Sequence, residues 1–260
     1  MSCTRSPFPP ASWSASDPGA PATMNQRTGR AVPEGDVPTN ENFGFLHIGK
    51  TAGSSIRQLI RLSADQGYNP PTIFGHAARL PPILREHPRI RIGFVIRDPI
   101  ERTISGFQSR LRQGRPTNDS LWSVEEAAAF AFFTDAASFL SALVSDTDER
   151  MKSAALFAEK SIKHVARNYV FHLKDVDFLK RQRERIFFCR PIDEVSTSLH
   201  QLFEPCGIPR EFVEQHYRPA HVGGGSTERI LASLESSILD DLKRHFATEY
   251  EIYDYLRDPG

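Results

Sequence analysis

The stretch from Phe43 to Ile60 constrains this chain most. A short apolar run, Phe43-Gly44-Phe45-Leu46-His47-Ile48, gives way to Gly49-Lys50-Thr51-Ala52-Gly53-Ser54-Ser55, after which Ile56, Leu59 and Ile60 recur at helical spacing. That order predicts a buried strand, a loop of small residues and the N-terminus of a helix. Gly49, Ala52 and Gly53 let the backbone approach an anion closely, and the unsatisfied N–H groups and positive dipole end of the helix favour a phosphate there. Thr51, Ser54 and Ser55 add hydroxyl donors, and Lys50 adds a point charge. The plainer alternative is an ordinary strand–turn–helix connection with a capping serine.

Other elements follow the same alternation. Thr72–Phe74 and Ile90–Ile96 read as strands, Arg185–Cys189 as a fourth, and Pro81 and Pro82 precede a brief helix. Pro99 stands at the first-turn position of a helix whose core stripe is Ile100, Ile104, Phe107 and Leu111. Residues 123–182 look mainly helical. Ile192, Val195, Leu199, Leu202 and Phe203 predict one helix ended by Gly207, and Ser226 and Thr227 predict the cap of a long C-terminal helix carrying Leu231, Leu234, Ile238 and Leu242. Strands alternating with helices imply an α/β fold, a mostly parallel central sheet flanked by helices in a three-layer sandwich of the P-loop type. At 260 residues the folded part, 42–260, suits a single domain. Residues 1–41, rich in Pro, Ser, Ala and Gly without hydrophobic period, are expected to be disordered; Met24 within them is a second candidate start beside Met1.

A second motif closes the third strand: Arg97-Asp98-Pro99-Ile100-Glu101-Arg102-Thr103-Ile104-Ser105. Arg97 falls at a strand's carboxyl end, where open α/β sheets bind ligands, and Ser105 lies two helical turns on. Together they can grip a second phosphate; alone, the cluster reads equally as salt bridges at a helix start. Gly44 to Thr51 also fits G-x-x-x-x-G-K-[ST], the triphosphatase pattern, in which Lys50 and Thr51 would act with a magnesium ion on Asp98. In that pattern the first Gly follows a strand. Here only polar Pro38-Thr39-Asn40-Glu41-Asn42 precedes Gly44, which places Gly44 inside the strand.

The two motifs in this order resemble the PAPS-dependent sulfotransferases (PAPS, 3′-phosphoadenosine 5′-phosphosulfate), most closely the branch containing the heparan sulfate uronyl sulfotransferases and their bacterial relatives. That branch carries His-Ile-Pro-Lys-Thr-Ala-Gly-(Ser/Thr)-Ser and then Arg-Asp-Pro-x-x-Arg-x-x-Ser, matched here by His47–Ser55 and Arg97–Ser105. Gly49 replaces the family's usual Pro. The resemblance implies that Gly49 to Ser55 bind the 5′-phosphosulfate, that Arg97 and Ser105 bind the 3′-phosphate, and that the product is adenosine 3′,5′-bisphosphate. It further implies in-line transfer to an acceptor hydroxyl on a carbohydrate or glycolipid, with Lys50 stabilising the charge on the leaving phosphate. His76, ending the second strand in Phe74-Gly75-His76, is the candidate general base, with Glu86, Glu101 and Asp65 as substitutes; a structural His at a strand end is the competing reading. His47 is expected to pack beneath the loop. No metal is expected, since Lys and Arg neutralise the charge. Arg218–Arg229 is a candidate cover for the adenosine phosphate, and Lys160, Lys163, His164 and Arg167 are candidates to meet an acidic saccharide.

Composition narrows the rest. Lys plus Arg equals Asp plus Glu at 32 each, so a nucleic-acid partner is not expected. No apolar run approaches the roughly 20 residues of a membrane span, and no apolar h-region marks a secretory signal. Cys3, Cys189 and Cys206 lack metal-ligand spacing and read as reduced thiols of a cytoplasmic protein. A kinase of the same fold and a non-enzymatic nucleotide-binding module are the rival functions.

Overall fold

A computed structural model describes residues 40–116, 119–219 and 225–258. The expectations for residues 1–39, Met24 included, lie outside the described residues, as do Gly223 and Gly224. Asn40 opens the described fold: it is buried, its side-chain oxygen accepts from the Asn42 and Phe43 amides, and its amide donates to Asn69 O.

In chain order the N-terminal half runs β1 (Phe43–Leu46), α1 (Gly53–Asp65), β2 (Thr72–Phe74), α2 (Leu80–Glu86), β3 (Arg91–Ile96) and α3 (Pro99–Leu111). A helical stretch follows: α4 (Val124–Phe132), α5 (Ala136–Leu143), α6 (Glu149–Ser161), α7 (Lys163–Ala166), α8 (Tyr169–Leu173) and α9 (Val176–Arg181). Then come β4 (Ile186–Pro191), α10 (Val195–Ser198), α11 (His200–Phe203), α12 (Arg210–His216), α13 (Ser226–Ser233), α14 (Ser236–His245) and α15 (Ala247–Arg257).

The four strands form one parallel sheet in the order β2-β1-β3-β4. Alternation along each strand splits the core into two faces. Phe45, Val95 and Phe188 pack with Ile56, Leu59 and Ile60 of α1 and with Leu202 and Phe203. Leu46, Phe94 and Ile96 face Tyr169, Leu173, Leu179 and Ile252 of α8, α9 and α15. A third cluster joins Ile104 and Phe107 of α3 to Phe130, Phe133 and Phe139 of α4 and α5. It is anchored by Glu126, fully buried, which accepts from Arg110 Nε and Nη2 at 2.7 Å each. Burial alone would raise the Glu126 pKa. The Arg110 bonds and the Ser123 and Lys163 amides outweigh it and hold the carboxyl at about 2.

Two helices differ from expectation. The stretch 192–207 is a chain of short turns rather than one helix, because Thr197 Oγ1 and Ser198 Oγ both bond back to Glu194 O and Pro205 sits in the following turn. Gly207 does end it, at φ 71°. The single long helix carrying Leu231 to Leu242 is two, α13 and α14. Leu234 is extended (ψ 139°) where the Ser233 hydroxyl takes Ile230 O, although the apolar spacing continues across the break. The cap of α13 is Gly225, not Ser226 or Thr227, whose hydroxyls are engaged with Gln108 and Arg97.

β1 leads to β2 on one side and β3 to β4 on the other, so the chain reverses direction across the sheet between β1 and β3. The carboxyl ends of these neighbouring strands are therefore the place where a doubly wound sheet opens a ligand crevice. The loop after β1 and the turn after β3 carry the two motifs.

Candidate functional site

The first motif is held open and strained. Lys50 (φ 71°) and Ala52 (φ 61°) both adopt left-handed backbone, which costs a non-glycine residue about 1–2 kcal/mol. Ala52 is the N-cap of α1 and offers no capping side chain. Within the first turn of α1 the Ser55 amide bonds Ala52 O at 3.1 Å, while no side chain caps the Gly53 and Ser54 amides before it. Gly53 is glycine because a Cβ there would collide with the His47 ring, which packs beneath the loop as expected. Thr51 is wholly buried and donates its hydroxyl to Ile48 O at 2.8 Å, a bond that shapes the turn. Ser55 is buried and Ser54 exposed, on the first turn of α1. Gly44 lies within β1, in contact range of Phe74 and Ile92, as the polar residues before it implied.

The second motif is closed. Asp98 caps α3, Oδ1 accepting from the Ile100 and Glu101 amides at 2.9 and 3.1 Å, and its Oδ2 accepts from Tyr250 OH at 2.8 Å. Tyr169 OH clamps the strand end, donating to Arg97 O at 2.6 Å and accepting from Arg97 N at 2.7 Å. Arg97 Nε pairs with Glu101 at 3.1 Å and its Nη2 reaches Thr227 Oγ1 at 3.5 Å. That contact brings the described end of the 218–229 segment to the motif; residues 220–224 lie outside the described residues. Ser105 is half-buried on α3.

Cations gather between the motifs. Burial, and then the Arg112 and Arg97 guanidiniums, together lower the Lys50 pKa to about 8. Among the described residues neither Lys50 nor Arg112 has a carboxylate partner. A half-buried ammonium repelled by two guanidiniums is poised for an anion, whose arrival would relieve both penalties. Arg112, at the far end of α3, was not visible as a site residue in the sequence.

His76 joins this ground. It sits in the turn after β2, its ring tilted 44° against that of His47 with centroids 3.9 Å apart, and 5.4 Å from the ring of His164 on α7. Burial, then Arg167, Lys50 and Arg57, bring its pKa down to about 4, so the ring is neutral above that pH. Burial likewise lowers His47 to about 2, His164 to about 3 and His172 to about 4. Among the described residues no group of three or more His, Cys, Asp or Glu has an arrangement suited to a metal ion. The substitute bases are placed less well. Glu101 is paired with Arg97, Glu86 is exposed beside Arg85, and Asp65 ends α1, about 18 Å of helix from the loop.

His164 is brought in by the second motif itself. Buried Arg102 donates to His164 O and Arg167 O at 3.1 Å each, and Gly106 leaves room for the His164 backbone. Lys163 instead approaches Glu126, at 3.8 Å. Two surface cavities, beside Arg190 and Tyr255 and beside His200 and Tyr217, share none of these residues. No family model, curated protein or solved structure matches this chain. The resemblance therefore rests on the two motifs and on where the fold puts them.

Proposed function

We propose that this chain is a PAPS-dependent sulfotransferase, with a P-loop-type fold, that acts on a hydroxyl of a carbohydrate or glycolipid. The observation that carries the reading is the uncapped, strained N-terminus of α1, set with Lys50 at the sheet's switch point beside Arg97. A 5′-phosphosulfate suits the α1 amides and Lys50. A 3′-phosphate suits the guanidinium of Arg97, with Ser105 beyond it on α3. PAPS would supply an activated sulfuryl group with a phosphate leaving group. Lys50, held by the loop, stabilises the charge that gathers on that phosphate, a preorganised contribution worth roughly 10²–10³ in rate. His76 receives the acceptor proton. Burial first, and then the field of Arg167 and Lys50, lower its basicity in the free protein; a polyanion beside Lys50 and Arg167 offsets the second of these. Reduced Cys189 and Cys206, whose pKa values burial raises to about 12 and about 11, suit work in the cytoplasm.

The kinase reading lacks comparable support. Its first Gly is a strand residue, its Thr51 hydroxyl is spent on Ile48 O, and both Asp98 oxygens are engaged. Transfer of radiolabelled sulfate from PAPS to a panel of glycosides, glycolipids and phenols, without magnesium, tests the proposal. Label on a hydroxyl acceptor, lost in His76→Ala with donor affinity retained, is the expected result; transfer of phosphate from ATP instead would overturn it.

A further inference from the structure

One of the two surface cavities lies along β4, the outermost strand of the sheet. Arg183 in the turn before the strand, Arg190 on it and Arg257 at the end of α15 all line this cavity of about 130 Å³. Two of the guanidiniums are held by the strand itself. Arg183 Nη1 donates to Ile186 O at 3.2 Å; Arg190 donates to Cys189 O at 2.8 Å and, through Nη2, to Gln201 Oε1 at 2.9 Å. These bonds orient the planar forks and use only one and two of the five N–H donors that each carries. Among the described residues none of the three arginines pairs with a carboxylate. Glu194 lines the same cavity and is in ion-pair contact with none of them. Burial raises the Cys189 pKa to about 12 against the opposing pull of Arg190 and Arg183, so both charges act on one side chain of the lining.

We propose that this cavity binds a phosphate monoester, at a site that shares no residue with the donor loop. It does not rest on the sulfotransferase reading. Three guanidiniums and one carboxylate leave the lining with two positive charges in excess, which a dianion balances. A phosphate monoester carries about −1.5 to −2 near neutral pH and offers three acceptor oxygens, whereas a sulfate monoester carries a single charge. Guanidinium forks match such oxygens in pairs, and the anion supplies the counter-charge that no carboxylate of the fold provides. The volume is roughly ten times what one water needs, so it takes more than a bare ion. Tyr255 and Phe187 offer ring walls for the organic body, and Lys180 Nζ, 6.0 Å over the Tyr255 ring, adds to the positive field.

Phenyl phosphate and phenyl sulfate, alike in shape and unequal in charge, are the probes. Each is titrated by calorimetry into the full chain saturated with adenosine 3′,5′-bisphosphate and, separately, into Lys50→Ala, which removes the cation of the donor loop. Phenyl phosphate is expected to bind in both settings, roughly tenfold or more tighter than phenyl sulfate. Arg183→Ala and Arg257→Ala, which remove exposed side chains, should each weaken it roughly tenfold or more with the melting temperature unchanged. Arg190→Lys keeps the charge, loses the fork and weakens binding as well. Glu194→Gln tightens it, because a repelling charge is gone. Four results overturn the proposal: no binding of phenyl phosphate by wild type at millimolar concentration, phenyl sulfate bound as tightly as the phosphate, folded Arg183→Ala and Arg257→Ala within about threefold of wild type, or binding that vanishes in Lys50→Ala. The Lys50→Ala titration reads the cavity whether or not the donor loop binds the bisphosphate.

Discussion

Helices α1 and α3 start in the same place, at the carboxyl ends of neighbouring parallel strands, and they are finished in opposite ways. α3 has Pro99 in its first turn, Asp98 as cap and Tyr250 on the cap's second oxygen. α1 begins on an uncapped alanine at φ 61° after a lysine at φ 71°. A helix N-terminus that is satisfied internally holds structure together. One kept unsatisfied, at a cost in strain, is left for an external anion. The second motif therefore contributes to the site through the residues that flank its cap, Arg97 before it and Arg102 after it, while the first contributes through the loop itself.

The largest break in this contrast should come from Lys50→Ala. Transfer is expected to fall by roughly 10²–10³-fold or more, with the melting temperature unchanged or raised, because a half-buried cation without a partner is removed. Wild-type turnover by the folded variant would refute the role. Arg97→Ala should weaken adenosine 3′,5′-bisphosphate by roughly 1.5–3 kcal/mol and adenosine 5′-phosphate much less, since only the former carries the phosphate assigned to it. Calorimetry showing equal losses would sink that assignment.

Acid should act on the first motif before the second. His76 and His172, at about 4, His164, at about 3, and His47, at about 2, all lie below the ordinary value of 6.5 when folded. Below that value the unfolded chain takes up protons that the folded cluster refuses. Stability is therefore whole above about pH 6.5 and falls as pH drops toward 4, because burial first, and then the field of Lys50, Arg57, Arg102 and Arg167, keeps the folded rings neutral. Thermal melts across pH 4–7 check this, and a His76→Ala variant should flatten the slope; a slope unchanged by that substitution would remove His76 from the cause.

The smallest effects should have opposite signs at the two helix starts. Asp98→Ala should cost about 0.5–2 kcal/mol through the lost cap. Ala52→Gly should gain up to about 1 kcal/mol by relieving left-handed strain. Denaturant unfolding reads both, and a loss of stability in Ala52→Gly would mean that α1 is not held under strain.

The sequence made the N-terminal half legible because its signals are local. Apolar runs bounded by small residues mark β1 and β3, and Asp98-Pro99 marks the start of α3 to the residue. Beyond residue 190 the stripe Leu231, Leu234, Ile238 and Leu242 kept helical spacing across the break at Leu234, where the Ser233 hydroxyl bonds Ile230 O, so periodicity alone ran one helix through it. In the site, Lys50, Arg97 and His76 were readable from their places at strand ends. Arg112 was not, and His164 was readable only as one of a basic run that could meet an acidic saccharide, not as a neighbour of His76. A histidine in the basic run Lys160-Ser161-Ile162-Lys163-His164 looks like part of a solvated face. Only the long-range reach of Arg102 and the gap at Gly106 bring it beside His76. Arg112 gains its meaning from where α3 ends relative to Lys50, which no spacing in the chain encodes.

Titration calorimetry of the purified chain with adenosine 3′,5′-bisphosphate in the absence of magnesium, set against ATP with magnesium, tests the central claim most directly. The account predicts tight binding of the bisphosphate, weakened by Lys50→Ala and by Arg97→Ala separately, and little binding of ATP. Preference for magnesium–ATP, or bisphosphate binding that survives both substitutions, would contradict it.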